Sequence, residues 1–160
     1  MTQEFLLDAL VADLKELFQH HRLKNSQGVE REIQVFAQDL PIREDSDEPE
    51  DPEAVPDPFL VARILGGKTE DDNAQQIITA VIVVCVCDYN TNRQGFRDAL
   101  HIINEIYHHY SVSAVIGKKW EVLYPMEWTI QQEEDHHPYY YAGMTLNIQA
   151  PAVHKEVPEV

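Results

Sequence analysis

Two segments of the chain carry apolar residues at helical spacing. Residues 3–21 and the segment from Arg93 to Tyr110 each place apolar side chains three or four positions apart, which puts them on one face of a helix. Both segments are therefore predicted as amphipathic helices with one buried side. The side chains predicted to face the core are Phe5, Leu6, Leu10, Leu14, Leu17 and Phe18 in the first helix, and Phe96, Leu100, Ile103, Ile106, Tyr107 and Tyr110 in the second.

Strand patterning separates the two helices. Residues 31–42 alternate between apolar and polar side chains, which is typical of a strand with one solvated face, and residues 58–65 resume strand character. The run Ile77–Cys87 is apolar except for Thr79 and rich in β-branched residues. That composition favours a central strand that is covered on both faces.

The last part of the chain has the pattern of a β-hairpin, with residues 118–133 and 138–151 as its arms. The resulting order is α-β-β-β-α-β-β, with one or two short strands added. This order predicts an α+β domain in which two helices pack on one face of a mostly antiparallel, mixed β-sheet. Residues 1–152 are predicted to form this single domain, and residues 153–160 a frayed C-terminal tail.

Charge restricts the partners that the chain is expected to bind. The 160 residues include 12 Lys and Arg against 28 Asp and Glu, for a formal net charge of −16. Such a chain, without clustered basic residues, repels phosphate backbones and anionic membranes on average. We therefore expect neither nucleic acid nor membrane as a partner. Residues 43–58 concentrate acids and prolines, and they are predicted to form an acidic flexible loop inside the domain.

Two cysteines, Cys85 and Cys87, end the apolar run. Residues two apart on a strand face the same side, so the two thiols are expected to be neighbours. A structural zinc site needs four ligands, usually in two separated pairs. The paired histidines at 20–21, 108–109 and 136–137 lack the spacing of such a site. The thiols are therefore interpreted as apolar wall of the core, and neither a metal nor a cofactor is expected.

The turn from Asp88 to Arg97 lies where many α/β enzymes place catalytic groups, between a strand and a helix. It has neither of the glycine patterns of phosphate-binding loops. A cap by Asn90 or Asn92 and a close packing contact at Gly95 explain the segment without chemistry. The chain also shows no set of nucleophile, base and orienting group, so it is predicted not to be an enzyme.

Aromatic residues gather in the C-terminal hairpin. Tyr and Trp are favoured in interfaces because they bury a large area and keep a polar tip. The residues predicted to contact another subunit or a partner are Trp128, His136, His137, Tyr139, Tyr140 and Tyr141.

The order of elements, together with the segment VCDYNTNRQGFRDALHIINEIYHHY, resembles the tail-terminator, or tail-completion, proteins of long-tailed bacteriophages and prophages. The matching residues are Cys87, Asp88, Tyr89, Asn90, Gly95, Phe96, Arg97, Asp98, Ala99, Leu100 and Ile103. The hairpin from YPMEWTIQQEE to YYYAGMTLNIQAP is also similar to the end of that family. The resemblance spans about residues 3–150, and it consists of packing and capping residues without a catalytic signature.

The resemblance implies a structural role in a virion. Proteins of this family form a hexameric ring that caps the tail tube, stops its polymerisation and offers a surface to the head–tail connector protein. The expected location is the host bacterial cytoplasm during assembly and the virion tail afterwards. The acidic loop departs from the shorter loops of the family, and we hypothesise that it faces the lumen and repels DNA there. The acids concerned are Glu44, Asp45, Asp47 and Glu48.

Two other interpretations remain open from the sequence. The chain is compatible with an unrelated α+β module that binds a protein partner through its sheet. The third interpretation is a small enzyme that uses the Asp88–Arg97 turn with the neighbouring thiols. Oligomeric state distinguishes the protein-binding module from a ring protein. Thiol reactivity and metal content test the interpretation as an enzyme.

Overall fold

A computed structural model describes residues 3–40, 57–131 and 137–153. The acidic residues Glu44, Asp45, Asp47 and Glu48, together with His136, lie outside these ranges, as do residues 154–160 of the predicted tail. The elements in chain order are α1 (Gln3–Leu17), β1 (Arg22–Lys24), β2 (Glu30–Glu32), β3 (Gln34–Ala37), β4 (Phe59–Lys68), β5 (Ile77–Cys87), α2 (Gln94–Val112), β6 (Val115–Ile116), β7 (Trp120–Ile130) and β8 (Tyr139–Gln149).

The main sheet has the strand order β3-β4-β5-β8-β7-β6. Strand β3 runs parallel to β4, and the other neighbours are antiparallel. The predicted α+β class with a mostly antiparallel, mixed sheet is confirmed. The structure adds three short strands. Strands β1 and β2 form a separate hairpin, and β6 extends the far edge of the main sheet.

One core lies between the helices and a single face of the sheet. Leu6, Leu10 and Leu14 of α1 are fully buried, and residues 102, 103 and 106 of α2 are nearly so. They join alternate residues of β4, β5 and β8 in one hydrophobic cluster, as the period of two of a strand requires. The strand members of this cluster include Leu60, Ala62, Ile78, Ala80, Ile82, Val84, Val86, Ala142, Met144, Leu146 and Ile148.

The apolar faces of both helices are narrower than their sequence pattern predicts. Phe5 at the start of α1 is 59% exposed, and Phe96 and Tyr107 of α2 are 42% and 40% exposed. These side chains flank the buried stripe, because the sheet covers only part of each helix. Residues 18–20 form a turn, so α1 ends four residues before the predicted end.

Strand β5 is covered on one face along its full length and on the other face only at its end. Its even-numbered residues from Ile78 to Val86 are buried against the helices, while Ile77, Val81 and Val83 remain half-buried. The prediction of two covered faces is therefore wrong for most of the strand. The physical reason is that both helices pack on the same side of the sheet. At the far end, Cys85 and Cys87 are buried as predicted.

Candidate interaction surface

The face of the sheet opposite the helices is called here the open face. One row of directly paired residues crosses it from Phe36 through Val61 and Val83 to Gly143 and Thr129. The next row contains Arg63, Val81, Thr145 and Glu127. No described residue range forms a helical layer over this face.

The centre of the open face is apolar. The rings of Phe36 and Phe59 meet edge to face, with 6.3 Å between their centroids. Val81 and Val83 continue this strip on the central strand and are half-buried. The solvated face of an antiparallel sheet is commonly polar, so the composition of this one departs from the usual alternation.

A shallow groove opens where Gly143 interrupts the strip. Its volume is about 390 Å³, and it is lined by residues 129–131 and 141–143. The nearest atom to a Cβ at Gly143 would be the Ile82 carbonyl oxygen, 3.8 Å away. This is an ordinary contact distance, so no atom of the described residues fills the space above Gly143. A side chain of a neighbouring molecule can therefore lie in the groove.

A buried carboxylate joins the β1–β2 loop to the cysteine end of the open face. Asp57 is 3% exposed, and its carboxylate accepts hydrogen bonds from the Ser26 backbone N–H at 2.6 Å and the Ser26 hydroxyl at 3.2 Å. Tyr89 donates its hydroxyl to the Ser26 carbonyl at 3.0 Å. Asp57 falls within residues 43–58, which the sequence predicts as a flexible acidic loop, but its burial and its two hydrogen bonds hold it in place.

The two thiols are held in their protonated form. Burial raises the pKa of Cys85 to about 12, and the nearby Asp57 carboxylate acts in the same direction. Burial and Asp57 likewise raise the pKa of Cys87 to about 11. Since the thiolate is the nucleophile and the metal ligand, neither sulfur is activated at neutral pH. This weighs against the interpretation as an enzyme that uses these thiols.

The turn before α2 owes its shape to backbone and packing interactions. Arg93 occupies the N-cap position with a left-handed backbone conformation, φ 61°, and its side chain makes no capping hydrogen bond. Arg93 and not Asn90 or Asn92 is therefore the N-cap residue, although Asn92 Oδ1 accepts the N–H of Gln94, the first helical residue, at 3.2 Å. The predicted close contact at Gly95 is confirmed, because a Cβ there would overlap the ring of Tyr140.

The predicted interface residues are distributed over both faces of the sheet. Tyr139 and Tyr141 pair with Cys87 and Cys85 and therefore lie on the open face. Tyr140 and Trp128 pair with Val86 and Met144, which belong to the core on the helix side. The remaining described member, His137, places its Nδ1 3.3 Å from the Tyr140 hydroxyl. These residues therefore form two surfaces rather than one.

The helix-side surface is a groove between α2 and the C-terminal hairpin. Trp128, which is 48% exposed, forms one wall. The groove has a volume of about 540 Å³. Its other lining residues are Arg97, Leu100, His101, Ile103, Asn104 and Tyr107.

The edge strand β7 is only partly paired. Strand β6 pairs with Trp120 and Glu121, and no described strand pairs with the outer edge of β7 from Leu123 to Ile130. This segment contains Pro125 and a register shift between Leu123 and Glu127, both of which disfavour unspecific strand pairing. Tyr124 is 73% exposed there.

One group of side chains of metal-ligating types lies close together among the described residues, and it contains neither cysteine. His21, His101 and Glu105 place their ligand atoms within 4.8 Å of one another. The sequence pattern did not predict this group because His21 lies 80 positions before His101 along the chain. The four-residue spacing of His101 and Glu105 on one helix was the available signal.

A scan against protein-family models gave no match, and a search of curated proteins gave no significant match. None of the described helices is long and apolar enough to cross a membrane.

Proposed function

We propose that this chain is a structural protein of a phage or prophage tail, which forms a ring on the tail tube, stops tube polymerisation and offers a joining surface to the head connector. The resemblance of residues 86–110 and of the C-terminal hairpin to tail-terminator proteins suggested this role. The observation that carries it is the apolar open face, since a structural subunit requires a surface of this kind.

The open face is suited to contact with another protein. Phe36, Phe59, Val81 and Val83 form a continuous apolar strip whose exposed flanks are polar or charged, as with Arg63 and Glu127. Contiguous apolar surface with a polar rim is typical of protein interaction sites. The groove at Gly143 adds a depression for an aromatic or aliphatic anchor.

A ring requires two different surfaces on each subunit, because one patch meets another patch on its neighbour. The chain offers the open face on one side of the sheet and the groove beside Trp128 on the other. The outer edge of β7 from Leu123 to Ile130, which no described strand pairs with, supplies further backbone groups. Such an arrangement supports a heterologous contact, in which the surfaces of successive subunits differ.

The raised pKa values of Cys85 and Cys87 favour a structural role over an enzymatic one, because they remove the most distinctive candidate nucleophiles. An unrelated protein-binding module is the second candidate, and the same open face supports it. The two candidates differ in self-association. A ring protein assembles with copies of itself, whereas a binding module remains a monomer until its partner is added.

The experiment is a solution mass measurement by light scattering, with electron microscopy of the same sample. One chain has a mass of 18.4 kDa, and a hexameric ring would have about 110 kDa. A ring of this mass is the expected result. A monomer at all concentrations, alone and with tail tube protein, would favour the binding module.

Val81→Glu tests whether the open face forms the contact. The new carboxylate would lie opposite Arg63 across the strand pair, which is a favourable position in the free subunit. In an apolar interface the same charge is strongly unfavourable. Phe5→Glu is the matched control, since Phe5 is 59% exposed on the helix side, in the first turn of α1. Val81→Glu should lower the mass to that of the monomer, and Phe5→Glu should not.

A further inference from the structure

We propose that His21, His101 and Glu105 bind a divalent transition-metal ion such as zinc, which connects the segment between α1 and β1 to the middle of α2. The inference is independent of the role in a phage tail. It rests on the geometry of three side chains that the fold brings together from helix α2 and from the segment between α1 and β1.

The backbone of His21 is held in place by the fold. Its N–H donates to the Phe18 carbonyl at 3.0 Å, and its carbonyl accepts the Ile33 N–H at 3.3 Å. Its ring stands edge to face on Phe18, with 5.1 Å between the centroids, and Phe18 itself is 1% exposed. The imidazole is thus positioned before any ion binds, which lowers the entropic cost of binding.

The other two ligands lie one helical turn apart on α2. His101 Nε2 is 3.5 Å from Glu105 Oε1, and the rings of His21 and His101 have 6.4 Å between their centroids. Zinc bonds to nitrogen and carboxylate oxygen are about 2.0–2.2 Å long. The ligand atoms must therefore move closer together around an ion. The side chains of His101 and Glu105, which are 61% and 36% exposed, have the freedom to do so.

The ligand types favour a transition metal over magnesium or calcium. Imidazole suits zinc, copper and nickel, whereas the hard alkaline-earth ions prefer oxygen ligands alone. Two histidines and one glutamate leave at least one coordination position for water or for a ligand from another molecule. The net charge of −16 also raises the local concentration of cations.

Arg97 opposes the ion electrostatically. It lies one turn before His101 on α2, and both side chains line the groove beside Trp128. Arg97→Gln should therefore tighten metal binding, since it removes a positive charge without changing a ligand. Replacement of a ligand is expected to weaken binding, whereas Arg97→Gln should strengthen it. A general disturbance of α2 would weaken binding in every variant.

Isothermal titration calorimetry of the full chain with zinc chloride tests the proposal directly. We expect one ion per chain, with binding reversed by EDTA. His101→Gln and Glu105→Gln should each weaken zinc binding at least about tenfold. Even the loss of an outer residue that only orients a metal ligand lowers metal affinity about 10–100-fold. His108→Gln is the matched control, since His108 is an exposed histidine on the same helix outside the group.

A thermal melt gives a second measurement that does not depend on the heat of binding. An ion at 100 times its dissociation constant should raise the melting temperature by about 5–10 °C in the wild type and in His108→Gln. At the same zinc concentration, the shift should fall by about half or more in His101→Gln. The proposal is overturned if the wild type binds no zinc, or if His108→Gln weakens binding as much as His101→Gln. Either result leaves ring formation, which is measured separately by solution mass, unaffected.

Discussion

The ring of Tyr140 on strand β8 lies directly on the backbone of Gly95 at the start of α2, where the helix has no side chain between them. A Cβ at Gly95 would overlap Tyr140 Cδ2 and Cε2 and would come 3.0 Å from the Asp88 side chain. Tyr140 belongs to the hairpin and Gly95 to the segment that carries the resemblance to tail terminators. Their contact fixes the position of α2 on the sheet.

Replacing Gly95 by Ala should destabilise the protein by about 1–3 kcal/mol, the usual cost of overpacking. In an ordinary helix the same change stabilises by about 0.5–1 kcal/mol, so the predicted sign is reversed. Chemical denaturation measures the effect. Gly66→Ala is the control, because nothing lies within 4 Å of a Cβ there, and it should be nearly neutral. A gain in stability for Gly95→Ala would show that Tyr140 moves aside freely.

The hydroxyl of Tyr110 should contribute to the docking of α1 on α2. Tyr110, which is 2% exposed, donates to Asp13 Oδ2 at 2.8 Å, and His109 Nε2 lies 3.0 Å from the same oxygen. Tyr110→Phe should lower the free energy of unfolding by about 1–2 kcal/mol. The loss is smaller than for a fully buried hydrogen bond to a charged group, because Asp13 retains His109 and some solvent as partners. Tyr107→Phe, at an exposed position on α2, should cost much less in the same denaturation measurement.

Asp57 should anchor the β1–β2 loop over the cysteine end of the sheet. Asp57→Ala leaves the Ser26 N–H without its acceptor and should cost about 1–3 kcal/mol. Ser26→Ala removes only the hydroxyl bond, so its cost should be smaller. In a double-mutant cycle the two losses should not add. Fully additive losses would mean that the two residues do not act on each other.

The buried thiols should react slowly in the native protein and rapidly once it unfolds. Cys85 and Cys87 have pKa values near 12 and 11 when folded, against 9.0 for an ordinary thiol. A thiol-specific reagent at neutral pH, with and without denaturant, measures the difference. Rapid labelling of the folded protein would contradict the burial of these residues.

The same thiols should make stability depend on alkaline pH. Between pH 9 and 11, the unfolded state loses thiol protons that the folded state retains. The unfolded state is therefore favoured increasingly, and the free energy of unfolding should fall as pH rises through this window. Cys85→Ala should make this decline shallower in denaturation curves recorded from pH 8 to pH 11. An unchanged slope would exclude Cys85 as a cause.

Much of the fold follows from periodicity in the sequence. The spacing of Leu6, Leu10 and Leu14 predicts α1, and the apolar run Ile77–Cys87 predicts the central strand. Periodicity could not determine which face of that strand is covered, because both faces are apolar. The strands β1 and β2, with sequences RLK and ERE, have too few apolar residues to give a strand pattern.

The candidate sites were harder to predict, because they depend on contacts between distant parts of the chain. The aromatic residues of the hairpin were identified as one interface set. Alternation along β8 nevertheless sends Tyr139 and Tyr141 to the open face and Tyr140 to the core side. Asp57 meets Ser26 from 31 positions away, and His21 meets His101 from 80. Only the folded sheet and the packing of the helices bring these pairs together.

Growth of tail tubes in the presence of this chain measures the proposed capping of the tail tube. The measurement is the length and end structure of tubes, seen by electron microscopy, when the tail tube protein of the same phage or prophage polymerises with added wild-type chain or Val81→Glu. We expect short tubes with a ring of density at one end for the wild type, and longer, uncapped tubes for Val81→Glu. Tubes that grow to the same length without density at their ends, whichever chain is added, would contradict the proposed capping role.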